Sequence, residues 1–234
     1  MKEYLSVREI EFESVNVLDS SVGMEELQRL GARSVPVVSR GSKFVFAQVI
    51  QDVIVFLDLE DDSVPLLTPD QLKHKYRHAL QTAIRLVKSM PDEYLEKELP
   101  GRPRSWRVLL HHVFQVPAAF LDMEETGVEF SYENMVAPPP DDMTTSRAIA
   151  LFGATVNARF EAWARCSTGE NFSAQVPTYF GGTTRHEMLE RTVWHSVQHI
   201  RQVAALLELV GIKPDQPLTL ADIEGLPLTE KVWD

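Results

Sequence analysis

Cysteine is nearly absent from this chain of 234 residues: Cys166 is the only one. A single thiol excludes an internal disulfide and a zinc ribbon, so a metal ion held by this chain must be bound through histidine or carboxylate. Long apolar runs are missing too. Nowhere do about 18 apolar residues follow one another, and residues 1–10, with Lys2, Glu3, Arg8 and Glu9, carry no apolar core of signal-peptide length. A cytoplasmic protein without a membrane partner is expected. Clustered positive charge is the third absence. The chain has 23 Lys and Arg against 34 Asp and Glu, a formal net charge of −11, and no long basic run. Nucleic acid and anionic membranes both demand clustered cations, so the expected partner is a small molecule. No internal repeat or low-complexity segment occurs.

What remains is an ordinary globular composition, 44% hydrophobic and 24% charged, over a length that suits one large domain or two small ones. Texture changes near residue 60. Before it, residues 8–17, 44–46 and 53–59 are short runs rich in β-branched and aromatic residues, and residues 23–31 form a short helical pattern closed by Gly31. Residues 1–59 therefore read as an α/β domain. An acidic stretch with Pro65 marks residues 60–68 as a linker.

Beyond the linker the periodicity is helical. Residues 69–90 carry the stripe Leu72, Tyr76, Leu80, Ala83, Ile84 and Val87. A second helix opens on Ser105 as N-cap and runs to about residue 125 through Pro117, a kink site. A third, at 144–166, repeats Ile149, Phe152, Val156, Phe160 and Trp163; the fourth opens on Thr184 and Glu187, at capping-box spacing, and stops at Gly211. Four such helices bury their stripes best as an all-α four-helix bundle over residues 69–213, followed by a C-terminal strap at 214–234 that makes Trp233 structural. Bundles of this kind pair, so a homodimer is expected as well.

Two histidine pairs have the spacing that puts both rings on one side of a helix: His74 with His78, and His195 with His199. The first pair lies opposite the Leu72 and Tyr76 stripe among Lys73, Lys75 and Arg77, and should face water. His195 and His199 border the apolar stripe of Leu189, Val193, Ile200, Val203 and Leu207, and face inward. Inward histidines are either buried neutral rings hydrogen-bonded to another helix or ligands of a metal, and both readings need a third group. His112, on the apolar side of the second helix, supplies it; His111 falls on the polar back with Arg107. Three imidazoles with an open position suit zinc first, then nickel or ferrous iron.

The segment from Arg104 to Val113 (RSWRVLLHHV), together with His195-x-x-x-His199-x-Arg201-Gln202 and Gly211, resembles the DinB-like four-helix-bundle superfamily over roughly residues 69–213. The resemblance implies a divalent metal bound through His112, His195 and His199. Despite the name, members are not polymerases, and the better-understood ones resemble thiol-dependent transferases and isomerases. The first domain, through Phe12 to Asp19, Glu25 to Val38, Phe44 to Gln48 and Asp52 to Leu57, is similar to the later part of a glutaredoxin, a truncated thioredoxin-like fold. That likeness implies a cis bond at Pro36, with the backbone of Val35 and Pro36 binding the cysteinyl part of glutathione. Residues 2–7 would be a helix remnant. The Cys-x-x-Cys or Cys-x-x-Ser motif is missing, which excludes thiol-disulfide exchange by this domain.

Joined, the two halves predict a metal-dependent glutathione S-transferase or isomerase-like enzyme acting on an electrophilic small molecule. Gln198, Arg201 and Tyr179 are further candidates for catalytic roles, Gln198 or Gln202 for orienting a ligand, and Arg201 or Arg191 for anchoring a carboxylate, although both arginines also read as surface cations off the metal line. Tyr179 and Phe180, before Gly181-Gly182, would line a mouth. Two other readings share the site: a hydrolase using water on the metal, and a metal- or thiol-binding module without turnover.

Overall fold

Serine and threonine caps set most of the helices in the computed structural model of this chain, which describes residues 5, 10–17, 20–33, 35–48, 50–59, 67–99, 102–180, 183–228 and 232–233. The chain divides into two units, Met1–Pro65 and Leu66–Asp234. Most of the expected helix remnant at 2–7 and most of the linker at 60–68 lie outside the described residues, as do Gly181-Gly182.

In the first unit, Ser20 caps helix α1 (Ser21–Leu30) by accepting from the Gly23 amide at 3.0 Å. Gly31 ends it at φ 72°, a left-handed conformation that a side chain resists. An antiparallel hairpin follows, β1 (Val37–Arg40) against β2 (Lys43–Phe46), in the register Val37 to Phe46 and Arg40 to Lys43. The Val35–Pro36 bond ahead of β1 is cis. The apolar run expected at 53–59 falls in helix α2 (Ile50–Leu57), because Val53 and Leu57 recur at helical spacing and join Leu5, Ala47, Ile10, Val38 and Val45 in a small core. Residues 10–16 carry no regular structure, although the alternation there suggested a strand.

The second unit is a four-helix bundle. Thr68 and Gln71 cap α3 (Pro69–Lys88) reciprocally, and a two-stranded ribbon of β3 (Glu98–Leu99) and β4 (Arg102–Ser105) leads into α4 (Trp106–Thr126), whose N-cap is Ser105. The helix runs on through Pro117. A single turn, α5 (Tyr132–Met135), precedes α6 (Ser146–Cys166); a second ribbon, β5 (Gln175–Val176) with β6 (Thr183–Thr184), precedes α7 (Arg185–Leu209). Each of α3 and α4 packs on both α6 and α7, so α3 and α4 are diagonal across the bundle and α4 lies beside α7. Tyr76 of α3 meets Phe160 of α6 edge-on at 5.0 Å, and Phe120 of α4 meets Trp163 of α6 at 5.1 Å. Gly153 of α6 lets the Phe114 ring of α4 come so near that a Cβ there would lie 2.5 Å from it.

Lys73, expected among the solvated cations of α3, is instead 5% exposed. Its stem runs inward and its ammonium lies 4.9 Å from the Phe172 ring and 3.4 Å from the Ser167 carbonyl, which offset its lost hydration. His74 and His78 are exposed. The C-terminal segment returns along the bundle: α8 (Leu220–Ile223) receives Lys75 at the Ala221 and Asp222 carbonyls, both at 3.1 Å, and the Val232 carbonyl receives Gln198 and Gln202 of α7.

Candidate metal centre

Both helices that carry the site start from strong caps. Ser105 accepts from the Val108 amide and sets the phase of α4, which places His112 two turns in on its buried side. Thr184 and Glu187 form a capping box that starts α7, and His195 and His199 follow on the flank facing α4. Because α4 and α7 are neighbours, the three rings converge. The Nε2 atom of His195 lies 3.2 Å from that of His112 and 3.2 Å from that of His199. A zinc ion with bonds of about 2.0–2.1 Å at tetrahedral angles spaces its nitrogens by about 3.3 Å; the two spacings at His195 match that, and all three donor atoms lie within 4.8 Å of one another, a set that could hold one ion with a position left open.

Protonation agrees with that fit. His199 Nδ1 lies 2.7 Å from Gln202 Oε1, an oxygen that can only accept, so Nδ1 carries the hydrogen and Nε2 is the unprotonated nitrogen, the one able to bind metal. The amide of Gln202 is oriented by its other end, where Nε2 donates to the Val232 carbonyl at 3.1 Å. Burial first, and then the charge of His199, hold His112 and His195 well below the usual imidazole range. Arg104 and Arg191 push in the same direction on both rings. The two imidazoles are therefore neutral at pH 7, which is the form that binds a cation. Among the described residues no carboxylate joins the cluster.

The model of the DinB family matches residues 66–224, more than half of the chain. This chain belongs to the DinB family. Comparison with curated proteins finds no match. Family membership accounts for the helical, metal-binding character of the second unit, whereas the thioredoxin-like reading of the first unit draws no support from it.

Within this DinB domain the other expected residues spread out. Gln198 donates to Val232 at 3.0 Å and receives Arg201 at 2.9 Å, so this pair serves the C-terminal strap. Tyr179 sits in an aromatic group with Phe130, Tyr132 and Phe180, at ring distances of 6.4, 5.7 and 5.0 Å. Val35 and Pro36 lie in the first unit, before β1. His111, expected on the polar back of α4, is buried and stacked on Phe152 at 5.1 Å; burial and the charges of Arg107 and Arg104 push its pKa down to about 4. The surface reading of Arg191 fails as well. Four residues before His195, it turns only ~40° from it around the helix, and it is buried, not a surface cation. Its separation from two ligands at steps of four was the signal available in the sequence.

Proposed function

We propose that this chain is a metal-dependent enzyme in which His112, His195 and His199 bind one divalent cation, zinc before nickel or iron, and a low-molecular-weight thiol attacks an electrophilic small molecule. The observation that carries the reading is the convergence of three Nε2 atoms at 3.2 Å contacts, one of them with its tautomer set by Gln202. A bound cation would supply Lewis acidity, lowering the pKa of a thiol brought to its open position. The chain's own residues hold the three rings, and burial keeps those of His112 and His195 neutral. The nucleophile must come from outside, because Cys166, the one thiol of the chain, is an exposed residue at the end of α6.

Glutathione is the thiol we favour. The helix, hairpin and helix of the first unit follow one another in the order expected of the later part of a glutaredoxin-like fold, and the backbone of Val35 and Pro36 is the proposed thiol contact. Hydrolysis has less support: Glu187, the acid considered as its general base, is engaged by Thr183 and Thr184 as part of the cap. Among the described residues no helix is long and apolar enough to cross a membrane, and we place the protein in the cytoplasm with a small-molecule substrate.

Metal content per chain tests the site. Wild-type protein should carry about one equivalent, and His112→Ala and His199→Ala should each lose most of it; full retention by both rejects the ligand set. Cobalt-substituted protein then tests the thiol. Glutathione should change its visible spectrum, and tight cobalt binding with no thiol response would leave a metal-binding module or a hydrolase instead.

A further inference from the structure

Arg191 lies one turn of α7 before His195, about 6 Å along the helix axis. It is 4% exposed. Its guanidinium packs between the rings of Phe130 and Phe180, 5.4 and 5.2 Å from their centroids, and its only hydrogen-bond acceptor among the described residues is the sulfur of Met135 at 3.4 Å from Nη2. A thioether is a weak acceptor. Among the described residues Nε and Nη1 are buried with no hydrogen-bond partner, and no carboxylate pairs with this arginine.

Buried arginines are rare, and those that occur are paired, because an uncompensated charge in an apolar setting is strongly unfavourable. Burial lowers the Arg191 pKa only to about 10, so the group stays cationic at neutral pH. Its charge reaches His112 and His195, and it stands one turn before His195 on α7, ~40° from it around the helix. A divalent cation there would add to the positive charge that Arg191 and Arg104 already exert on His112 and His195.

We propose that Arg191 is the anchor for a carboxylate on the small molecule this site takes, with Phe130 and Phe180 covering the apolar body of that molecule. One fixed guanidinium with free N–H groups matches the planar, singly charged carboxylate. A phosphate dianion would leave a net negative charge among aromatic rings, and is the poorer match. The assignment deepens the metal-dependent reading and rests on it for the identity of the site, but its own observation, the unpartnered buried cation, is separate. Arg191 is a substrate-positioning residue; the bond-making step belongs to the groups at the histidines.

The test uses full-length, zinc-loaded protein with acetate, pyruvate and benzoate, their uncharged amides, and inorganic phosphate, followed by isothermal titration and by the shift in Tm. At least one carboxylate should bind and raise Tm, at least about 30-fold more tightly than its amide and more tightly than phosphate. Arg191→Met should weaken that binding by a similar factor with zinc stoichiometry unchanged, and Arg191→Lys should keep part of it. Equal binding of acid and amide, preference for phosphate, no response to any carboxylate, or full binding by Arg191→Met would each overturn the proposal. Should Arg191→Met not fold, the acid and amide comparison on wild type and the Lys variant decide it. Zinc uptake without carboxylate binding removes this anchor and leaves the metal reading standing. Carboxylate binding that depends on Arg191 in protein that takes up no zinc does the reverse.

Discussion

Gln202 touches only one ring of the site, yet it determines which nitrogen of that ring is available. With its carboxamide oxygen on His199 Nδ1 and its nitrogen on Val232, rotation of the amide would set two donors against each other at one end and two oxygens at the other. Gln202→Leu should therefore leave the bundle folded but lower metal affinity about 10- to 100-fold, measured by competition against a chromophoric zinc chelator. Glu190 offers a second test at this scale. Burial first, then the charge of Glu187, raise its pKa from an ordinary 4.5 to about 7, and its Oε1 has no partner among the described residues. An acid whose pKa is higher in the folded chain binds its proton more tightly there, so the penalty is absent below about pH 4.5, grows as the pH rises towards 7, and is constant above. Glu190→Gln should add about 1–3 kcal/mol at pH 8.5, after allowance for partial exposure, and little at pH 4. Urea unfolding at the two pH values reads the difference. The closeness of His195 and His199 was legible in the sequence because spacing on α7 reports one face of one helix. The environment of Arg191 was not, since Phe130 and Phe180, which pack on it, arrive from loops 61 positions back (191 − 130) and 11 positions back (191 − 180) along the chain.

At the scale of elements, the helix starts were the clearest part of the sequence. Ser105 and the Thr184 and Glu187 pair are caps in the structure because each offers a side-chain oxygen to an amide that the helix itself cannot satisfy. The stripes of α3 and α6 were legible for the same local reason. The run at 53–59 was harder: a short apolar segment has no internal mark that separates strand from helix, and packing on Leu5 and Ala47 chose the helix. The contact between α4 and α6 supplies a prediction that runs against helix propensity. Alanine normally improves a helix over glycine by about 1 kcal/mol, but a Cβ at Gly153 would strike three atoms of the fully buried Phe114 ring at 2.5–2.8 Å. Gly153→Ala should destabilise the protein by about 1–3 kcal/mol, read from urea unfolding.

For the whole molecule, the three proposed ligands, Gln202, Arg191 and the aromatic group around it belong to the unit Leu66–Asp234. A fragment of residues 66–234 should therefore keep the metal stoichiometry of the full chain, while a thiol response carried by Val35 and Pro36 should disappear with the first unit. Elemental analysis and the cobalt spectrum with glutathione measure the two separately. The division into two units was visible as a change of texture near residue 60, whereas the strap was visible only as apolar residues near Trp233, with no hint of what they met.

The Val232 carbonyl, which receives both Gln198 and Gln202, gives that strap a consequence for how this protein is handled. Proteolytic clipping between α8 and Val232 would remove a main-chain acceptor from Gln202, and the ring of His199 would lose its orientation although no ligand had been cut away. Preparations trimmed at that end would differ in zinc affinity while differing little in helix content, so an intact mass is the first control on any metal titration, and an affinity tag belongs at the opposite end of the chain.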